Sequence, residues 1–366
     1  MKLAWRELVR RPSRFITAGA GLTLIVLLLL VLGGILDALV QSSTGLLKAQ
    51  SAPLIVYSSD SKGSIDRSRL DPEDQAAIAA VPGVHDSTGL GIAPLAGHLP
   101  STSEPADVVV FGYEAPNLRV PAPPPPGKGY VDKSLQSDGL ELGDTIELGT
   151  ARTPVEAIGW VEGTNYNLQS GIWVEPETWR TALNANIPDG AVAEGTFEAI
   201  LVTPDEGQAV PALADAIESA VPDVTALTID EAIAGIPGVT EQGNTFTAII
   251  GVTFAVAGIV VALFFALLTI ERVGLLGVLK AIGTSSRTLA VGLTLQAVMI
   301  AAGALVVGSV LATLLAQVIP DAVPLTLSPG RFVFTAVGLV IAALIGSAIS
   351  FRRIVRIDPA SAVGGA

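Results

Sequence analysis

Residue types that could perform catalysis or bind a metal are scarce in this chain. It has no cysteine, which excludes disulfides, iron–sulfur clusters, cysteine-ligated zinc and a cysteine nucleophile. Its two histidines, His85 and His98, lie thirteen residues apart in an acidic stretch, where surface or structural roles are favoured over a metal pair. The phosphate-binding pattern G-x-x-x-x-G-K-[ST] is absent from the sequence. The nearest fragment, Gly127-Lys128-Gly129, lacks the preceding glycine and the following Ser or Thr. We therefore do not expect the chain to act as an enzyme on its own.

The clearest candidate for a functional segment is TIERVGLLGVLKAIGTSSRTL, Thr269–Leu289. Its apolar residues recur near helical spacing among a few charges. The apolar positions are Val273, Leu276, Leu279 and Ala281 to Ile282, and the charged ones are Glu271, Arg272 and Lys280. Such a segment is either an amphipathic turn at the membrane interface or a short helix that docks into a groove of a cytoplasmic protein. From the residues alone, both interpretations remain open.

Four long uncharged runs lie before and after this segment, and they must position it. They are Phe15–Leu36, Gln242–Ile270, Thr288–Pro320 and Phe332–Phe351. The first has 22 residues, so as a helix it would be about 33 Å long and would cross a bilayer core of roughly 30 Å. Half of the chain is hydrophobic and only 15% is charged, which argues against a wholly soluble protein. We therefore predict transmembrane helices at 15–40, 242–270, 288–320 and 332–351.

The charge distribution predicts the side of the membrane on which each connecting segment lies. Segments 1–14, 271–287 and 352–366 contain 11 Lys and Arg against three acidic residues, whereas the remainder contains 10 basic and 31 acidic residues. Because basic loops stay in the cytoplasm, we place both termini and the 271–287 loop there, and residues 41–241 outside. The first span is too long for the apolar region of a cleaved signal peptide. The net charge of −13 argues against nucleic acid as a partner.

The outer segment has the pattern of an α+β domain. Pro53–Ser59 and Val108–Tyr113 have the composition of buried strands, and Asp71, followed by proline and two acidic residues, predicts the start of a helix. A strand-rich stretch begins at the connector Pro121–Pro126 and predicts a β-rich insertion at about 121–195. The predicted fold class is thus a membrane α-helical protein with four transmembrane helices and a large extracytoplasmic α+β domain.

Three strings at the two ends and in the membrane part carry a family resemblance. They are ERVGLLGVLKAIGTSSR in the loop, AWRELVRRPSRFITAGAGLTL at the start and RRIVRIDPASAVGGA at the end. They resemble the signature loop and the two ends of FtsX/MacB-type permeases of ABC transporters. The order of one span, a large outer domain and three spans is similar to the MacB-like architecture. Three further strings, SSDSKGSIDRSRL, IPGVTEQG and AVPLTLSP, resemble the DevC/HrtB branch, whose HrtB-like members are haem-exporting permeases.

The resemblance implies a homodimer of the permease in the bacterial plasma membrane, surrounded by lipid, with two copies of a separate cytoplasmic ABC ATPase. ATP and Mg²⁺ would bind to that partner, and no cofactor would be bound permanently to this chain. The 271–287 loop would couple the two proteins. The residues assigned to this coupling are Glu271, Arg272, Leu276, Leu279 and Lys280. Substrate would be taken from the outer leaflet or outer face rather than through a channel.

Haem is the substrate that the branch implies, and its iron needs a ligand near the outer ends of the spans. Haem is a flat apolar ring that partitions into membranes, and ferric iron accepts oxygen ligands. The best-placed carboxylates are Glu241, then Glu231, then Asp37, and no other metal is predicted. Glu231 and Glu241 flank the Ile236–Gly238 turn, so their carboxylates could converge from two sides. The alternative is that Glu241 is a boundary charge or a helix-start residue.

Two other functions remain compatible with these features. An FtsX-like protein transmits a mechanical signal that regulates cell-wall hydrolases and moves no substrate, although outer domains of that kind are typically much shorter than the roughly 205 residues here. A DevC-like or MacB-like exporter would move a lipid or a peptide. Binding of hemin to the purified chain would favour haem export.

Overall fold

The computed structural model describes residues 12–236, 238–271, 282, 284–319 and 325–355. Within this part of the chain, four helices are long and apolar enough to cross a membrane, and a mixed α+β domain lies between the first and second of them in sequence. The predicted fold class is therefore confirmed. The α-helices of the described residues are α1 (Pro12–Lys48), α2 (Pro72–Ala79), α3 (Pro176–Asn186), α4 (Val210–Ala220), α5 (Ile229–Gly235), α6 (Val239–Glu271), α7 (Ser286–Ala316) and α8 (Pro329–Val355).

The chain forms two compact units, Met1–Ala38 with Asn244–Ala366 and Leu39–Gly243. In the first, α1, α6, α7 and α8 pack through small residues, as is usual for helices in lipid. A β-carbon on Gly308 of α7 would lie 2.7 Å from Cγ1 of Val26 in α1, and one on Gly346 of α8 would lie 2.7 Å from the carbonyl oxygen of Gly258 in α6. The helices of this unit therefore approach each other at backbone distance.

The second unit contains a sheet in which two strand–helix–strand units interleave. Its strands are β1 (Leu54–Ser58), β2 (Val84–His98), β8 (Ala199–Pro204) and β9 (Val224–Thr228). They pair antiparallel in the order β2-β8-β1-β9, with α2 connecting β1 to β2 and α4 connecting β8 to β9. This is the split βαβ arrangement. The predicted helix after Asp71 is α2, in which the Asp74 carboxylate accepts a 2.9 Å hydrogen bond from the Asp71 N–H.

The chain between β2 and β8 forms a closed ring of strands. Its members are β3 (Ala106–Tyr113), β4 (Lys128–Asp132), β5 (Thr145–Leu148), β6 (Thr153–Val161) and β7 (Ser170–Val174). The order is β3-β7-β4-β6-β5, and the second half of β2 pairs with both β3 and β5, which closes the ring. The strand-rich stretch expected at 121–195 supplies β4 to β7 and α3, whose Trp179 is fully buried in the core of the ring.

Candidate functional site

Asp37 lies in an ion pair that joins α1 to α8 in the membrane unit. Its carboxylate accepts a 3.0 Å bond from Nε of Arg331, a second bond from Nη2 of the same guanidinium, and a 3.4 Å bond from Oγ of Ser328. The backbone reinforces this contact, because the N–H of Thr326 donates to the carbonyl of Gly34 at 3.1 Å. To ligate iron, Asp37 would have to give up a bidentate charge pair. Sequence reasoning missed Arg331 as a partner, although a basic residue at the outer end of a span departs from the positive-inside rule and was the available signal.

Glu231 caps the start of α5. Its Oε2 accepts hydrogen bonds from the N–H of Thr228 at 2.9 Å and from the Thr228 hydroxyl at 2.8 Å, and its own N–H donates to that hydroxyl at 3.3 Å. The backbone N–H of Thr228, followed by the hydroxyl, lowers the pKa of the Glu231 carboxyl. The carboxylate is thus anionic near neutral pH and already serves as a cap, and its role as an iron ligand stays a prediction.

Glu241 lies in the first turn of α6 with its side chain exposed. A carboxylate there interacts favourably with the positive end of the helix dipole, which agrees with the helix-start alternative. The turn before α6 contains Gly238 at φ 83°, a conformation that favours glycine. Glu231 and Glu241 therefore belong to two consecutive helices, as the sequence suggested, and ligation by Glu241 also stays a prediction.

The predicted coupling residues lie at or beyond the end of the described part of α6. Glu271 is the last residue of that helix. Arg272, Leu276, Leu279 and Lys280 fall outside the described residues, so their role in binding an ATPase stays a prediction.

Sequence reasoning missed a second contact, between the end of α1 and the loop that connects β6 to β7. The loop, residues 162–169, bonds to α1 through main-chain groups: Leu46 N–H to the Asn165 carbonyl at 3.0 Å, and Leu168 N–H to the Ser42 carbonyl at 3.1 Å. A β-carbon on Gly45 would lie 2.5 Å from the Gly163 carbonyl oxygen. A glycine among small residues inside a helix was the available sequence signal for this close approach.

The same loop is fixed to the ring by a buried carboxylate. Asp132, 4% exposed, accepts hydrogen bonds from the N–H and the hydroxyl of Thr164, both at 2.9 Å, and from the N–H of Ser134 at 3.1 Å. Tyr166, also in the loop, donates to Oδ2 of Asp66 at 3.3 Å, and burial followed by the charge of Asp66 raises the pKa of its phenol. The end of α1 is therefore held rigidly against the ring.

An ion pair between a buried glutamate and a partly exposed arginine lies where the ring meets the sheet. Glu198 is fully buried and accepts hydrogen bonds from the guanidinium of Arg69 and, at 2.9 Å, from the N–H of Ile92. Burial raises the pKa of Glu198 to about 7, against the opposing effects of Arg69 and the backbone. Beside it, Leu70 and Phe197 exchange two main-chain bonds of 2.9 and 3.1 Å.

Comparisons with known sequences agree with the resemblance inferred from the motifs. Residues 247–359 match the family model of the FtsX-like permease C-terminal domain. The putative hemin transport system permease protein HrtB of Staphylococcus epidermidis is 22% identical over 368 residues, covering 100% of this chain and 99% of the relative. The uncharacterized ABC transporter permease Rv0072 of Mycobacterium tuberculosis is 27% identical over 387 residues, covering 99% of each. The uncharacterized ABC transporter permease Mb2592 of Mycobacterium bovis is 38% identical, over 33% of this chain and 34% of its own length.

Two solved structures of outer domains are also similar. The periplasmic region of MacB from Actinobacillus actinomycetemcomitans has a TM-score of 0.36 at 11% identity, covering 52% of this chain and 94% of its own. The extracellular domain of the ABC-type transporter YknZ from Gram-positive bacteria has a TM-score of 0.34 at 13% identity, covering 48% and 99%.

Proposed function

We propose that this chain, an ABC-type permease subunit that is similar in sequence to FtsX/MacB-type and HrtB permeases, exports haem from the outer leaflet with energy from a separate ATPase. The observation that carries the proposal is the full-length likeness to proteins named as putative hemin transport permeases. The likeness extends over the outer domain as well as the spans, so it includes the region where a substrate from the outer leaflet would arrive.

Glu241 is the first choice for an iron ligand in this proposal. Its side chain is exposed in the first turn of α6, directly before the uncharged run 242–270. A carboxylate binds ferric iron through oxygen and releases it on protonation, which suits a protein that must let its substrate go. The porphyrin ring would lie in lipid and its propionates in the headgroup layer.

The proposed energy source is a pair of ATPase subunits on the cytoplasmic side of a permease homodimer. Closure of the ATPases would move the coupling loop at 271–287, and the helices would carry that movement outward. The contact between the end of α1 and the 162–169 loop supports this proposal, because main-chain hydrogen bonds connect the first helix to the outer domain there.

A titration of the purified full-length chain with hemin tests the proposal. We expect a shifted Soret band with defined stoichiometry, and weaker binding with faster haem loss in Glu241→Ala. Glu194→Ala, at another exposed glutamate of the outer domain, is the control and should bind as the parent does. Absence of a Soret shift in the parent would refute haem export and favour a lipid or peptide substrate. A normal shift in Glu241→Ala and Glu231→Ala alike would refute only the choice of ligands.

A further inference from the structure

Arg331 is the only basic residue in the segments predicted to form the spans and the loop between the last two of them. Residues 15–40, 242–270 and 288–351 contain three charged residues, which are Asp37, Asp321 and Arg331. The basic residues that flank the spans belong mostly to the predicted cytoplasmic segments, at the opposite ends of the helices. Within these segments, Arg331 is therefore the one cation that an acidic group could meet near the outer ends of the spans.

The pairing of Arg331 with Asp37 uses only one edge of the guanidinium. The Asp37 carboxylate accepts from Nε at 3.0 Å and from Nη2, which together form the side-on edge of the group. A guanidinium has five N–H groups, so Nη1 and the second N–H of Nη2 form another, end-on edge. Within the described residues no acceptor bonds to that edge, and the side chain is 13% exposed. The end-on edge can therefore bind a second carboxylate through two parallel hydrogen bonds.

Three contacts hold the Arg331 side chain in place. A β-carbon on Gly33 of α1 would lie 2.6 Å from Cδ and 2.8 Å from Nε of Arg331, so the side chain lies directly against the backbone of α1. The Arg331 Cζ lies 5.7 Å from the centroid of the Phe334 ring, which is a cation–π contact. Because Asp37, Gly33 and Phe334 already fix the side chain, an acidic ligand would cause little further loss of side-chain entropy.

An aromatic surface lies next to this guanidinium. The Phe334 side chain is 54% exposed, and its ring contacts the edge of Phe254 in α6, with the two centroids 5.8 Å apart. A cation beside exposed aromatic rings suits an amphipathic molecule that has acidic groups at one edge of a flat apolar ring system. Haem has this shape, because its propionates lie on one edge of the porphyrin. Aromatic rings stack on a flat macrocycle better than on an acyl chain, which favours haem over a phospholipid.

We propose that Arg331 binds a propionate of haem through the end-on edge of its guanidinium, while Asp37 holds the side-on edge. Asp37 then acts as a positioning residue for Arg331. The inference rests on haem being the substrate, as proposed above, and it holds whether Glu241 or Glu231 ligates the iron. Recognition of the propionate would make the permease selective for the acidic form of the macrocycle.

The test compares hemin with iron(III) protoporphyrin IX dimethyl ester, in which the propionates are esterified and uncharged. The full-length parent and its variants, in phosphatidylcholine nanodiscs, are titrated with each compound, and the dissociation constants are taken from the Soret shift. The quantity compared is the preference for hemin over the ester, which cancels the stronger partition of the ester into lipid. We expect this preference to be about 10- to 100-fold smaller in Arg331→Gln than in the parent, because a hydrogen-bonded charge pair is lost.

Two further variants separate propionate binding from general damage. Arg67→Gln makes the same change at an exposed arginine of the outer domain and should keep the preference of the parent. Asp37→Asn removes the ion pair but keeps the cation, so its preference should stay within a few-fold of the parent value. If Arg331→Gln does not fold, the double variant with Asp37→Asn replaces it, because that variant leaves no unpaired charge.

The outcomes distinguish this inference from the function on which it rests. An unchanged preference in Arg331→Gln would overturn the role of Arg331 and leave haem export standing. An equal loss of preference in Asp37→Asn would also overturn it, since the loss would then follow from breaking the ion pair. No Soret shift of hemin with the parent would refute haem export, and this inference with it.

Discussion

Replacing Gly45 with alanine should loosen the contact between the end of α1 and the 162–169 loop. The new methyl group would lie 2.5 Å from the Gly163 carbonyl oxygen and 2.8 Å from the Asn165 nitrogen. Both are main-chain atoms, so the clash is relieved only if the loop moves. Such overpacking costs about 1–3 kcal/mol, whereas alanine gains about 1 kcal/mol of helix propensity over glycine. The net loss is up to about 2 kcal/mol, which raises the population of the undocked loop up to about 30-fold.

Hydrogen exchange measured by mass spectrometry on the full-length chain reports this population directly. The amide hydrogens of Asn167 and Leu168, which bond to α1, should exchange up to about 30-fold faster in Gly45→Ala. Gly21→Ala is the control, because it makes the same change in the same helix, and apart from the neighbouring backbone of that helix no atom of the described residues lies within 4 Å of the added carbon. Equal exchange in the two variants would refute the view that the loop contact is tight.

Three further predictions concern the ion pairs and the coupling loop. Asp37→Asn should destabilise the membrane unit by about 1–3 kcal/mol, because it leaves a mostly buried guanidinium unpaired. In thermal unfolding in nanodiscs, Arg331→Gln should cost less stability in the Asp37→Asn background than in the parent. Additive losses in the double variant would contradict the pairing. Leu276→Asp combined with Leu279→Asp should abolish export but leave hemin binding intact, and normal export would show that the loop is merely interfacial. Burial raises the pKa of Glu198 to about 7 from an ordinary 4.5. The folded state therefore holds this proton more tightly than the unfolded state, and the stabilisation that results is fully present below pH 4.5. It is lost as the pH rises through about 7, so that the free energy of unfolding falls by about 3 kcal/mol. Unfolding temperatures followed between pH 4.5 and 8 should fall with pH in the parent and stay flatter in Glu198→Gln.

The hydropathy pattern predicted the membrane helices because lipid imposes a strong and local requirement. It could not predict where α1 ends, since the predicted span stops at residue 40 and the helix continues to Lys48. Beyond Asp37 the helix is stabilised by the packing of Leu46 and Leu47 in the core of the outer domain, and such contacts with distant residues leave no local signal.

The candidate ligands illustrate what a sequence does and does not reveal. The pattern Thr228-x-x-Glu231 is that of a capping box, so the capping role of Glu231 at the start of α5 could be predicted from the sequence. The partner of Asp37 was not, because Arg331 lies 294 residues away in the chain. Closure of the strand ring was equally hidden, since β2 pairs with three different strands along its length.

The pairing of β1 has a consequence for how the outer domain is made. Within the described residues, β1 pairs only with β8 and β9. Leu54 therefore cannot form its strand pairs until Val202 and Thr228 have also been translocated. The ring, by contrast, has all its strands once Val174 has been translocated. During secretion the ring is therefore expected to fold first, while the apolar segment Leu54–Ser58 stays unpaired through the export of about 140 further residues. An unpaired apolar strand is prone to aggregate, so biogenesis of this permease should be most sensitive to holding chaperones in that interval.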